Sequence, residues 1–480
     1  MTTYKGKMIV ILSTIIIVGG IGITSFLHLE TLRSQQYYNN SNNNHRPVLK
    51  YPYNNSLELE LVAEGLSFPT SMEFIDEKDL LVLEKEKGTV RLVSISGTNI
   101  PLREEPALEL TVDSDGEQGL LGIAATKDGN IINTNSSLLT SIFLYYTHSN
   151  PPKNSIYKYH WDGQKLINPE LILDLPSQPG PYHQGGKIQV SVDKDNHISP
   201  YVVVGDLTSP DTILQNNGYS KMANNTSIIL KINLDEGTNR HPSSVVNSFL
   251  NSNHSNHNYN NNGTVTSYGD SNSNSNNLNG IGNYSDSYRY SFWAYGIRNS
   301  FGLAVDPLTG NLWDTENGEA EYDEINLVRP GFNSGWMQVM GPMSRNFNKT
   351  NEDLVTLNGS FYADPVFSWK NPIGVTDIEF LNTTKLGAEL ANNIVVGDIN
   401  NGNLYYFKVN KSRTGMELPG GLGSTSNGLA DLVADDDKES SLNTFGTNFG
   451  RITDIETGPD GLLYVLSYEE GKIFRISPII

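Results

Sequence analysis

The chain of 480 residues contains no cysteine, which excludes disulfide bridges, thiolate metal sites and a cysteine nucleophile together. Stability therefore has to come from packing and bound ions. Positive charge is scarce as well: 33 Lys and Arg stand against 53 Asp and Glu, a formal net charge of -20. No local basic patch interrupts that balance, so a nucleic-acid partner is excluded. Glycine-rich phosphate loops and His-rich zinc spacings are missing too. After residue 57 helical periodicity is almost absent, and short alternating runs broken by Gly, Asn and Asp replace it.

One long apolar run is present. Met8 to Leu27 (MIVILSTIIIVGGIGITSFL) is uncharged and about as long as a helix needs to be to cross a bilayer. Lys5 and Lys7 precede it and hold residues 1–7 in the cytoplasm. No small-x-small cleavage site stands out. The expectation is a single N-terminal transmembrane anchor at 8–27, a flexible stalk at 28–56 rich in Asn, Tyr and Ser, and the rest of the chain outside the cell. Asn-x-Ser/Thr sequons at Asn54, Asn135, Asn224 and Asn348 would matter only there.

Within 57–480 one phrase returns: an apolar strand start, a turn with Asp and Gly, a strand of the LYV type, then a strand ending in Arg-Ile or Lys-Ile. It is clear in SMEFIDEKDLLVLEKEKGTVRLV from Ser71, in LAVDPLTGNLWDTENGEAEYDEINLV from Leu303 and in DIETGPDGLLYVLSYEEGKIFRI from Asp454. Weaker copies bring the count to six. Such a unit cannot bury both faces alone, so the copies must stack. The predicted fold is all-β, a six-bladed β-propeller. The early strand LELELVA, from Leu57, is placed to pair into the last blade and close the ring. A two-sheet sandwich would need several domains with boundaries, and none is visible. The Asn/Ser-rich stretch 243–287 reads as a disordered insertion.

Loops converging on a propeller channel are where chemistry would sit. His183 and Gln184 open the third copy (YHQGGKIQV), Asp206 ends YVVVGD, and Arg298 and Asn299 lie in YGIRNSFGL. A neutral His at a loop mouth can act as a general base with an Asp orienting it. An Arg can polarise a carbonyl. Taken singly, a loop His is more often structural.

HQGG with the following VGD, WAYGIRNSFGLAVDPLTGNLW, DEINLVRPGFNSGW and GRITDIETGPDGLLYVLS together resemble the glucose/sorbosone dehydrogenase family, which includes soluble quinoprotein aldose dehydrogenases. The resemblance runs in order from Leu66 to Ile476. It implies a pyrroloquinoline quinone (PQQ) lying flat over the channel above a Ca2+ ion, and oxidation of an aldose to a lactone by hydride transfer from the anomeric carbon. It further implies that His183 takes the anomeric hydroxyl proton, that Asp206 supports it, and that Arg298 and Asn299 sit at the reacting quinone carbonyl. Gln184 is placed among the cofactor contacts, Glu117 among the sugar contacts, and Asn317, Gly318 and Glu319 around the calcium, which prefers oxygen ligands. The paired glycines after His183 are expected to let the flat cofactor approach.

The sequence departs from the family pattern at the cofactor's carboxylates. Asn400 stands where a Lys is usual, Arg451 is followed by Thr453 rather than a second Arg, and Glu319 replaces a Pro. Trp369, beside Lys370, reads either as a stacking face for the cofactor or as a core residue. The expected protein is a membrane-anchored extracytoplasmic sugar dehydrogenase; its electron acceptor and its association into a homodimer are left open. The alternative is a non-catalytic, calcium-stabilised propeller that binds glycans or proteins at the cell surface.

Overall fold

The computed structural model describes residues 46–50, 52–95, 102–132, 138–192, 197–209, 212–220, 222–234, 289–418 and 429–479. The expected anchor at 8–27 and insertion at 243–287 lie outside the described residues. Among the described residues no helix is long and apolar enough to cross a membrane. Val48–Ile480 forms one compact unit.

The unit is an all-β propeller. Among the described residues the strands form six sheets, and the α-helix is the four-residue Asp437–Ser440. Each sheet begins with an inner strand: β1 (Pro69–Phe74), β2 (Leu120–Ile132), β3 (Ile188–Val192), β4 (Ser300–Val305), β5 (Val375–Phe380) and β6 (Ile452–Thr457). Antiparallel neighbours step outward from each, as in Pro69–Phe74, Asp79–Glu84, Thr89–Ser94 and Leu108–Glu109. Tight turns make this stepping feasible. In DPLTGN the Asp306 carboxylate accepts from the Leu308 amide and the Thr309 hydroxyl, and Gly310 takes φ 73° where a side chain would strain the backbone.

A separate apolar cluster fills each junction between adjacent sheets. Leu83 and Ile142 meet between the first and second sheets, Tyr145 and Val204 between the second and third, Val203 and Leu303 between the third and fourth. Trp313 and Ile378, Val395 and Leu463, and Tyr464 and Leu80 complete the circuit. Burying a large apolar side chain contributes about 2 kcal/mol, and these seams are what a lone sheet would lack. As the sequence predicts, Leu57–Glu64 closes the ring, pairing with Lys472–Pro478.

The expected stalk ends earlier than residue 56. Val48–Leu49 pairs with Thr444–Thr447, and the Tyr53 ring packs 4.6 Å from Phe445 and 5.8 Å from Tyr406. Buried aromatic area outweighs the polar composition on which the stalk reading rests.

Hydrogen bonds gather the first residues of the inner strands at one end of the channel: Thr453 Oγ1 to Pro69 O, Thr70 Oγ1 to Leu120 O and Asn317 Nδ2 to Val375 O, each 2.8 Å. One layer further in, Lys187 Nζ bridges the channel to Asp377 Oδ1 at 2.8 Å and Asp454 Oδ1 at 2.6 Å. Beyond it, Glu73, Glu379 and Glu456 line a cavity of about 210 Å³.

Candidate active site

The loop entering β3 holds His183 at φ 58°, a left-handed conformation that few residues other than glycine adopt. Its carbonyl accepts from the Leu207 amide, and Gly205 beneath it has no room for a Cβ. This strain fixes the direction of the imidazole. His183 Nδ1 lies 2.6 Å from Asp206 Oδ1, which also accepts from the Thr208 amide at 2.7 Å. Asp206 Oδ2 accepts from Trp336 Nε1 at 2.8 Å. An ionised carboxylate only accepts, so Nδ1 carries the proton and the Nε2 lone pair is left to act as a base. The His183 side chain is 17 % exposed and Asp206 6 %.

Arg298 precedes β4. Its amide donates to Glu316 Oε1 at 2.7 Å, its Nη1 to the Asn317 carbonyl at 3.0 Å, and its guanidinium carbon lies 5.4 Å from the centre of the Trp336 ring. Asn299 Nδ2 donates to both oxygens of Glu117, at 3.1 and 3.3 Å, and the Gln184 amide donates to Glu117 Oε2 at 3.2 Å. The set thus joins Glu117, His183, Asp206, Arg298 and Asn299 from loops of three sheets. Burial pushes the Glu117 carboxyl up, with His183 and the amide donors pulling it partly back. Burial likewise pushes Glu316 up to about 7, against its bonds from Arg298 and Ser334. Two buried polar atoms here have no partner, Arg298 Nε and Asn299 Oδ1. Orphans of this kind in a folded protein call for an explanation, and a ligand is one.

The sequence profile described as Glucose / Sorbosone dehydrogenase matches residues 66–279 and 282–475. The chain belongs to the glucose/sorbosone dehydrogenase family. It is 30% identical over 195 residues to the aldose sugar dehydrogenase YliI of Escherichia coli, a match covering 40% of this chain and 44% of that one. It is 23% identical over 433 residues to an uncharacterised Synechocystis protein, covering 86% and 85%. Its fold is shared with the apo-form of the soluble aldose sugar dehydrogenase from Escherichia coli (TM-score 0.57, 18% identity, 88% of this chain and 100% of that one). It is shared also with the PQQ-bound form of an aldose sugar dehydrogenase from Streptomyces coelicolor (TM-score 0.53, 18% identity, 90% and 100%).

Several residues expected to serve this family's site do other work here. The Gln184 side chain is fully buried, donating to the Gly180 carbonyl at 2.8 Å and accepting from Asn154 at 2.8 Å, so it braces the loop. Gly186 faces Leu121 and Tyr145, and Gly185 faces the Val203 carbonyl. The glycine pair therefore serves close packing inside the fold, a correction to its expected role of admitting a flat ligand. Trp369 is 1 % exposed and packs edge-on to Phe367, Tyr405 and Phe407; of its two readings the core one holds. Asn400 is exposed above Gly374 at the site end of the fifth sheet. Arg451 precedes β6 with its Nε 3.7 Å from Glu469.

Of the backbone carbonyls expected around the calcium, that of Asn317 accepts from Arg298 Nη1 at 3.0 Å, while Gly318 is half-buried and Glu319 is exposed on the turn. Among the described residues no group of three or more His, Asp or Glu side chains is arranged to hold a metal ion. A quinone fits better at its reacting end, where the unpartnered Arg298 Nε is a donor for a carbonyl oxygen, than at its carboxylate end, where Asn400 is neutral and Arg451 faces a glutamate.

Sequence reasoning passes over Trp336, Glu316 and Lys187. Trp336 sits in a phrase that carries the family resemblance, DEINLVRPGFNSGW, Glu316 in the repeat copy from Leu303, and Lys187 in YHQGGKIQV itself. Their partners lie up to 267 residues away, so no local pattern marks them.

Proposed function

We propose that this six-bladed propeller is an aldose dehydrogenase that oxidises the anomeric carbon of a sugar to the lactone with PQQ as cofactor, on the outer side of a membrane to which residues 8–27 anchor it. The observation that carries the reading is the 2.6 Å contact between His183 and Asp206 beside Arg298 and Asn299. His183 Nε2 withdraws the anomeric hydroxyl proton, and Asp206 stabilises the imidazolium that results. Glu117, high in pKa and fixed by Asn299, orients sugar hydroxyls. Arg298 and Asn299 would hold the carbonyl end of the quinone, and Arg298 would supply positive charge there. When bound, the quinone supplies the two-electron acceptor for the anomeric hydride.

The weak carboxylate end favours a second reading, a glycan- or protein-binding propeller that has lost its cofactor. Adding PQQ to the purified chain separates the two. The dehydrogenase reading expects a bound-quinone absorbance and aldose-dependent reduction of a dye. Absence of quinone binding in the presence or absence of calcium favours the binder.

A further inference from the structure

Asp206 and Arg298 come from different sheets, yet one side chain touches both. Trp336 sits half-buried in the long connection after Asp323–Val328, with its amide donating to the Gly296 carbonyl at 3.1 Å and its own carbonyl accepting from Asn216 Nδ2 at 2.8 Å. Its indole N–H meets Asp206 Oδ2 at 2.8 Å, and its ring lies under the Arg298 guanidinium at 5.4 Å. Asp206 Oδ2 accepts the indole N–H, while Oδ1 is shared between His183 and the Thr208 amide.

We propose that Trp336 is a positioning residue that ties the base to the electrophile, its N–H orienting Asp206 behind His183 while its ring face seats Arg298. The inference deepens the dehydrogenase reading and rests on it for its catalytic consequence. Its physical content is separate. The indole N–H stabilises negative charge on Oδ2 and so competes with imidazolium for the Asp206 charge. Removing the N–H leaves that charge to His183 and the Thr208 amide, so His183 should hold its proton more tightly. The other charges facing this pair are Glu117 beside His183, Arg298 across the indole and Glu316 behind Arg298. None of them is altered by losing the N–H. The ring's second task differs: a cation over an aromatic face loses its seat only when the ring goes.

Two substitutions separate the tasks. Trp336→Phe keeps a ring under Arg298 and removes the donor; Trp336→Leu removes both. In the full chain without quinone or sugar, the midpoint of the His183 imidazole titration, followed by NMR, is expected to rise by about half to one unit in Trp336→Phe. With PQQ and aldose, that variant should lose about tenfold in kcat at neutral pH and recover as pH rises, with KM little changed. Trp336→Leu should lose about a hundredfold at every pH, because Arg298 is no longer placed. Should either variant fail to fold, the unaltered chain still decides: the Trp336 indole N–H resonance must titrate with the same midpoint as His183. A flat indole resonance while His183 titrates overturns the proposal, as does a Trp336→Phe protein whose His183 midpoint and pH profile both stay in place. A shifted midpoint in a protein that never reduces the dye keeps the Trp336 link and removes the dehydrogenase reading instead.

Discussion

The two levels of the channel hold similar residue types in opposite conditions. At the end where the inner strands begin, His183 sits at a left-handed φ, Arg298 Nε and Asn299 Oδ1 lack partners, and the His183 ring stays partly open. One layer further in, Lys187 is paired with both Asp377 and Asp454, and Asp454 accepts in addition from Ser71 Oγ at 2.7 Å. Burial alone would lower the lysine's pKa, but the two carboxylates raise it well above its usual value. The lower level closes an ion-pair network within the chain; the upper one leaves Arg298 Nε and Asn299 Oδ1 buried without a hydrogen-bond partner. Strain and orphaned polar atoms gather where a protein works, whereas closed ion pairs hold it together.

The sharpest way to break this contrast is to remove one residue from each level. His183→Ala should cost about a thousandfold in sugar-dependent dye reduction while leaving the melting temperature almost unchanged, since the imidazole is part-open to solvent and its hydrogen bond is to Asp206. Lys187→Met should do the reverse. It leaves two buried carboxylates facing each other without a cation, at a cost of about 3–5 kcal/mol by chemical denaturation, while quinone affinity is retained. If Lys187→Met abolished quinone binding in a protein of unchanged stability, the division between the levels would be wrong.

A smaller effect sharpens the reading of Trp369. As a core residue packed against Phe367 and Phe407, Trp369→Phe should lose about 1–2 kcal/mol of stability and leave PQQ affinity where it was. A loss of affinity without a loss of stability would return Trp369 to the site.

The propeller was legible because its evidence is local and repeated. The alternating strands, the Asp-Gly turns and the closing strand from Leu57 each read in a few residues, and the closure formed as expected. Even the channel glutamates are in register, in SMEF, TDIEF and TDIET. The grouping of His183, Asp206, Arg298, Asn299 and Glu117 at one end of the channel was legible because short phrases carry them. Sequence reading failed where residue type was the guide. Gln184 and Trp369 have the right chemistry for a cofactor, but burial, which sequence does not record, turns both inward. Trp336 escaped notice because its contacts are with distant residues, Arg298 and Asp206, the latter 130 residues away. The docking of Tyr53 onto Phe445 was hidden by the Asn-rich composition around it.

The subtlest prediction concerns the far side of the lower level. Burial and the nearby Asp454 push Glu73 up to about 8, and burial raises Glu379 to about 7 despite its bonds from Thr457. Glu456 is raised as well, by burial and then by Glu73 and Glu379. These are carboxyls whose folded pKa lies above the unfolded value, so the folded chain binds more protons between the two. Their contribution is fully present below about 4.5, the ordinary glutamate value, and is lost as pH rises through about 7 to 8. The melting temperature should therefore fall by a few degrees between pH 5 and pH 8.5. Glu73→Gln, which mimics the protonated side chain, should flatten part of that slope without touching dye reduction by the upper level. A slope unchanged by Glu73→Gln would mean that Lys187 already neutralises the whole cluster, and that the channel's two levels share one electrostatic balance.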